Sequence, residues 1–161
     1  MDVMTWLREG DPALRWQVLR RLAALGAAAA DTIESERVRT PGLDADLQAA
    51  AALAARPTAA AKEQAWAALD DPAVGNRLLS VLLAGLWSAE QADLLAPYVE
   101  RYLRAAPGWS RRGQGLALVV GQARPTLLLT DRQRALLDEQ LRGDLPAALR
   151  RIWADWADDL D

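Results

Sequence analysis

Leu14, Val18, Leu22 and Leu25 recur at helical spacing and form one apolar stripe, the first of a series along this chain. Asp11-Pro12 stands before the stripe as a helix opening, and Gly26 stands after it as a closing residue. A further helix is expected over residues 28 to 38. Thr40-Pro41-Gly42 then breaks the pattern, because proline disfavours helix before it and glycine frees φ. Residues 43 to 55 resume helix, Arg56-Pro57-Thr58 punctuates it, and Thr58 caps the helix that carries Lys62, Trp66 and Leu69. Asp71-Pro72 repeats the opening device before residues 73 to 86.

Ser88 with Gln91 and Thr130 with Gln133 have the spacing of capping boxes. Pro97 is expected to break or restart the helix between them, leaving Tyr98 and Tyr102 on one face at i and i+4. Pro107-Gly108 is expected to end that helix, and Ser110 to open the next one through Leu116, Val119 and Val120. Gly113, Gly115 and Gly121 each lower helix stability there by about 1 kcal/mol relative to alanine. Close packing of a neighbouring helix or backbone room for a ligand would compensate. The last stripe runs through Leu145, Leu149, Ile152, Trp153, Trp156 and Leu160. The whole reads as an all-α chain of about nine or ten helices. Hairpins of about 35 to 45 residues point to a HEAT-like α-solenoid of stacked antiparallel pairs, in one domain over residues 1–161.

Composition supports that class and narrows the chemistry. The 161 residues are 52% hydrophobic, dominated by alanine and leucine, with no phenylalanine. Such a chain is long enough for one sizeable core. It contains neither histidine nor cysteine, which removes the common transition-metal ligands, the usual neutral-pH general base and the thiolate nucleophile. No metal and no cofactor are therefore expected. A net charge of −3 and a pI near 5.0 disfavour nucleic acid as a partner. No apolar run approaches the roughly 20 residues that span a bilayer, and no leader pattern precedes the first stripe, so no membrane partner and a cytoplasmic location are expected.

Of the seven tryptophans, Trp6, Trp16, Trp66 and Trp87 sit at helical spacings beside leucines and are assigned to the core. Trp109 follows Pro107-Gly108 at an expected helix entrance and precedes Ser110-Arg111-Arg112, a combination able to hold a carboxylate or phosphate; a solvated basic turn is the simpler reading. Asp71 reads as a helix cap, and Asp155, Asp158, Asp159 and Asp161 as a solvated acidic face. Gly113-Gln114-Gly115 lacks the preceding strand and the Lys-Ser/Thr of a nucleotide loop.

The run from Leu86-Trp87 through Leu94-Leu95-Ala96-Pro97-Tyr98 to Glu100-Arg101-Tyr102-Leu103 resembles the C-terminal helical domain of the zinc aminopeptidase N family, actinobacterial type. Leu14 to Gly26, Ala55 to Trp66, and Leu145 to Ile152 resemble other helices of that domain in the same order. The resemblance implies a helical bowl that contacts the distal part of a peptide, and so nominates Tyr98, Tyr102, Trp109, Arg111, Arg112 and Gln114 for a concave binding surface. The His-Glu-x-x-His zinc motif is absent, so no peptidase activity is expected. A non-catalytic domain that binds a peptide or protein partner, such as a peptidase domain, is the first expectation. A small enzyme of specialised metabolism using the bowl as a substrate pocket is the alternative, and a HEAT-like DNA-binding or DNA-repair protein is the least favoured.

Overall fold

The computed structural model describes Thr5 and residues 9–161; Trp6 lies outside the described residues. Among those residues the chain is all α-helical, with no strand, and falls into two compact units, Met1–Glu90 and Gln91–Asp161.

The first unit contains α1 (Pro12–Ala24), α2 (Ala30–Arg39), α3 (Leu43–Ala55), α4 (Ala59–Asp70) and α5 (Asn76–Leu86). Asp11 caps α1 by accepting from the Ala13 amide at 2.9 Å, with Pro12 in the first helical position. Gly26 closes it in the left-handed region at φ 76°. Its amide donates to the Ala23 carbonyl at 3.0 Å and the Ala27 amide to the Leu22 carbonyl at 2.8 Å, the paired bonds of a glycine-terminated helix.

Helix α3 organises this unit, packing against α1, α2, α4 and α5. Its Ala45, Ala49, Ala52 and Ala55 meet Trp16, Leu19, Ala23, Ala28 and Ile33 in one buried cluster. Ala51, on another side of the same helix, faces Gly85 of α5. A Cβ built on Gly85 would lie 2.4 Å from the Ala51 carbonyl oxygen and 2.9 Å from its Cα. Two main chains therefore touch at a point where only glycine fits. Alanine on most sides of α3 lets neighbours approach closely all round it, and glycine supplies the last ångström.

Two boundaries in this unit differ from expectation. Helix α5 begins at Asn76 after Gly75, rather than at residue 73. Asp71 does not cap it: its side chain accepts from the Ala73 amide and its carbonyl from the Val74 amide, which makes a local turn. A short aspartate side chain reaches two residues on, and Pro72 favours the turn that brings them back. Ser88 likewise spends its hydroxyl on the Glu90 carboxylate, at 2.6 Å, rather than on a helix start.

The second unit contains α6 (Ala92–Ser110), α7 (Gln114–Gln122), α8 (Asp131–Arg142) and α9 (Ala147–Asp159). Helix α6 runs unbroken through Pro97 and Pro107, where the sequence pattern predicts a break and an end. Its buried face of Leu95, Tyr98, Val99, Tyr102, Leu103 and Ala106 explains the continuity, since apolar burial outweighs one lost backbone bond per proline. Pro97 and Asp93 are both exposed, so water can serve the carbonyl that Pro97 leaves without a partner. Thr130 and Gln133 form the expected capping box at α8, and the buried Gln133 also donates to the Ala96 carbonyl of α6 at 3.0 Å.

The second unit's centre is a bonded aromatic pair. Tyr102 and Trp153 are fully buried, with ring centroids 5.8 Å apart. The Tyr102 hydroxyl donates to the Val120 carbonyl at 2.7 Å and accepts from Trp153 Nε1 at 3.2 Å. Those bonds join α6, α7 and α9. Burial pushes the phenol well above its usual range, which keeps it a neutral donor. Among the described residues no single helix is long and apolar enough to cross a membrane.

Candidate functional site

The nominated residues divide into a buried set and an exposed set, both within the second unit. Tyr98, Tyr102 and Trp109 are buried along α6. Tyr98 lies under the Arg101 guanidinium, 4.8 Å from the ring centre. Tyr102 is committed to the hydroxyl bonds just described. Arg111, Arg112 and Gln114 are exposed at the turn between α6 and α7.

Trp109 and Ser110 occupy the last turn of α6 rather than the entrance of a new helix. The helix entrance expected at Trp109 is thereby corrected. The reason is the continuity of α6 through Pro107-Gly108: the carbonyl end of a helix dipole, not the amide end, meets Arg111 and Arg112. Arg111 answers that polarity by closing the helix, its amide donating to the Pro107 carbonyl at 3.2 Å. Its side chain reaches the Asp144 carbonyl at 2.8 Å and lies 3.9 Å from the Asp144 carboxylate.

The next helix start is α7, one turn later. Gly113 stands at its N-cap position, Gln114 opens it, and no side chain caps its first turn. A Cβ built on Gly113 or Gly115 would meet nothing within 4 Å. Gly121 is the opposite case, since its Cβ would lie 2.9 Å from Ile152 Cδ1. Helix packing thus accounts for Gly121, whereas Gly113 and Gly115 face open space. The three glycines of one expected helix have two different surroundings.

The first unit carries a separate open cleft of about 790 Å³. Trp16 and Ala45 line it together with Asp11, Asp44, Gln48 and Arg77. Arg77 donates to the Asp44 carboxylate at 3.3 Å across a solvent-exposed pair. Sequence reading assigns Trp16 to the core, and it is buried; that its edge also lines a cleft depends on where α3 and α5 begin. Trp66 is buried as expected, and Trp87 is half-buried at the end of α5. Glu90 holds its carboxyl at about 2 because Arg21 and then Ser88 hydrogen-bond it.

Neither surface presents a nucleophile paired with a base, and among the described residues no three acidic side chains gather as a metal site. The cleft is lined by Trp16 and Ala45 with aspartate, glutamine and arginine side chains, and the turn presents Arg111, Arg112 and Gln114 beside buried aromatics. Short helices packed within each unit, in a chain without histidine or cysteine, define an all-α helical domain. Residues 4–161 match the ERAP1-like C-terminal domain, and the chain belongs to that family. It is 35% identical over 147 residues to aminopeptidase N of Streptomyces lividans, an alignment that covers 88% of this chain and 17% of that relative. The chain thus spans about a sixth of the length of the curated relative it matches.

Proposed function

We propose that this domain is the non-catalytic helical part of an aminopeptidase N-type assembly, and that it holds a peptide or protein partner. The observation that carries the reading is the conjunction of a match across nearly the whole chain with a complete lack of histidine. The zinc chemistry of a peptidase requires residues this chain does not have, so its contribution is recognition.

The exposed turn at Arg111, Arg112 and Gln114 suits the free carboxylate of a peptide. Arginine pairs with carboxylates through two parallel donors, and the first turn of α7, without a side-chain cap, adds backbone amides of the same polarity. Trp109, buried beneath, supports the turn and reports on it. Titration of short peptides with free C-termini, followed by tryptophan fluorescence, is expected to saturate, and amidated peptides to bind at least tenfold more weakly, the scale of one lost charge-assisted contact. Arg112→Ala is expected to remove that discrimination. No fluorescence or calorimetric response across a varied peptide set at millimolar concentration would defeat the proposal.

A further inference from the structure

Lys62 is the one lysine among the nineteen basic side chains of the chain; all the others are arginines. Among the described residues it is also the only basic side chain that is fully buried. Its Nζ donates to the Ala54 carbonyl at 2.7 Å and to the Leu86 carbonyl at 3.2 Å. Those carbonyls belong to the last turns of α3 and α5. Both helices end in an extended residue, Arg56 at ψ 140° and Trp87 at ψ 133°, and neither carries a basic residue in its own last turn. One side chain from α4 thus bonds the carbonyl ends of two helices.

The charged groups around this contact do not neutralise an ammonium. The charged residues of α3 and α5, Asp44, Asp46 and Arg77, lie in the opposite first turns of those helices. Glu63, adjacent on α4, is exposed. Arg56, whose Nε donates to the Leu53 carbonyl at 3.1 Å, places a like charge nearby. Among the described residues no carboxylate pairs with Lys62. The carbonyl ends of α3 and α5 bond an ammonium more strongly than an amine, but no carboxylate offsets the cost of burying its charge. Its third N–H has no acceptor among the described residues, whereas the two N–H donors of a neutral amine match the two carbonyls.

We propose that Lys62 is a proton-sensitive clasp on the first unit: it ties the ends of α3 and α5 together, and the clasped fold is favoured by the neutral amine over the ammonium because the amine carries no buried, unpaired charge. Arginine cannot serve, because it does not lose its proton in proteins. Burial first, and then the Arg56 charge, lower the amine to about 8. The unfolded chain keeps the ordinary lysine value near 10.4. Between those values the unfolded state binds more protons, so folding is favoured as pH rises through about 8 and the gain is complete near 10.4. The clasp operates whatever the domain binds.

The chain's lack of histidine and cysteine makes the test clean, since between pH 7 and 9 the α-amino group is the only other titrating group. Urea unfolding of the full chain is expected to give a folding constant that increases about tenfold from pH 7 to pH 9. Lys62→Met and Lys62→Arg, which retain the α-amino group, are expected to lose this increase. The lysine side-chain methylene next to nitrogen gives one resonance in this chain, and its NMR titration is expected near 8. A folding constant that is flat or falls over this range in the wild type, or an equal rise in the variants, overturns the clasp. If neither variant folds, the NMR titration decides alone, and a midpoint near 10.4 overturns it.

Discussion

The two units solve the same packing problem with opposite materials. In the first, α3 is sheathed in alanine, and α5 approaches until Gly85 touches the main chain at Ala51. In the second, α6, α7 and α9 meet through Tyr102 and Trp153, large rings whose polar atoms are satisfied by each other and by the Val120 carbonyl. Small residues bring helices close and leave no room for an added atom. Large residues hold helices further apart and leave a void when one is removed. At these two contacts the first unit is therefore sensitive to insertion and the second to deletion.

The strongest way to break this contrast is Trp153→Ala. It removes a fully buried indole and leaves the Tyr102 hydroxyl short of a donor, so a loss of about 3–5 kcal/mol is expected by denaturant unfolding. A loss under about 1 kcal/mol would show that the second unit collapses around the gap as an alanine-rich core does. Next in size is Gly85→Ala. Helix propensity alone would favour it by about 1 kcal/mol, yet the Ala51 main chain cannot retreat like a flexible side chain. A net loss of about 1–3 kcal/mol is expected from overpacking, and a neutral result would mean that α5 slides freely on α3. The smallest effect sharpens the comparison by reversing its sign. Gly115→Ala, exposed in the first turn of α7 with nothing within 4 Å of the new methyl, is expected to stabilise by about 0.5–1 kcal/mol in the same assay.

Much of the helical order was legible because caps are local. Asp11, Thr58 and Thr130 cap the helices they precede, and each bond spans two or three residues. The errors lie where local signals compete with burial. Pro97, Pro107 and Gly108 all argue for an ending, but the apolar face of α6 carries the helix through them to Ser110. That shift moved Trp109 from a helix entrance to a helix exit and reversed the dipole meeting Arg111 and Arg112. The Asp71 turn is a closer contest, since a cap and a local turn begin with the same residues.

Lys62 was half legible. Its place with Trp66 and Leu69 at i, i+4 and i+7 puts a lysine on a core stripe. No spacing shows which carbonyls would receive it, because Ala54 and Leu86 lie 8 and 24 residues away. Gly85 carried a similar partial signal, a glycine in an apolar run, whose meaning depends on Ala51 far upstream.

The sequence by itself determined the all-α class, most helix starts, the absence of histidine and cysteine, and the family. Caps, apolar periods and missing residue types are properties of a few neighbouring positions or of the composition alone. Only the tertiary structure decided where α6 ends, which glycine meets a main chain, what bonds the ends of α3 and α5, and that Tyr102 bonds Trp153. Each of those depends on groups distant in sequence, where the free energy of burial and of pairing a buried polar atom overrides the preference of any single residue.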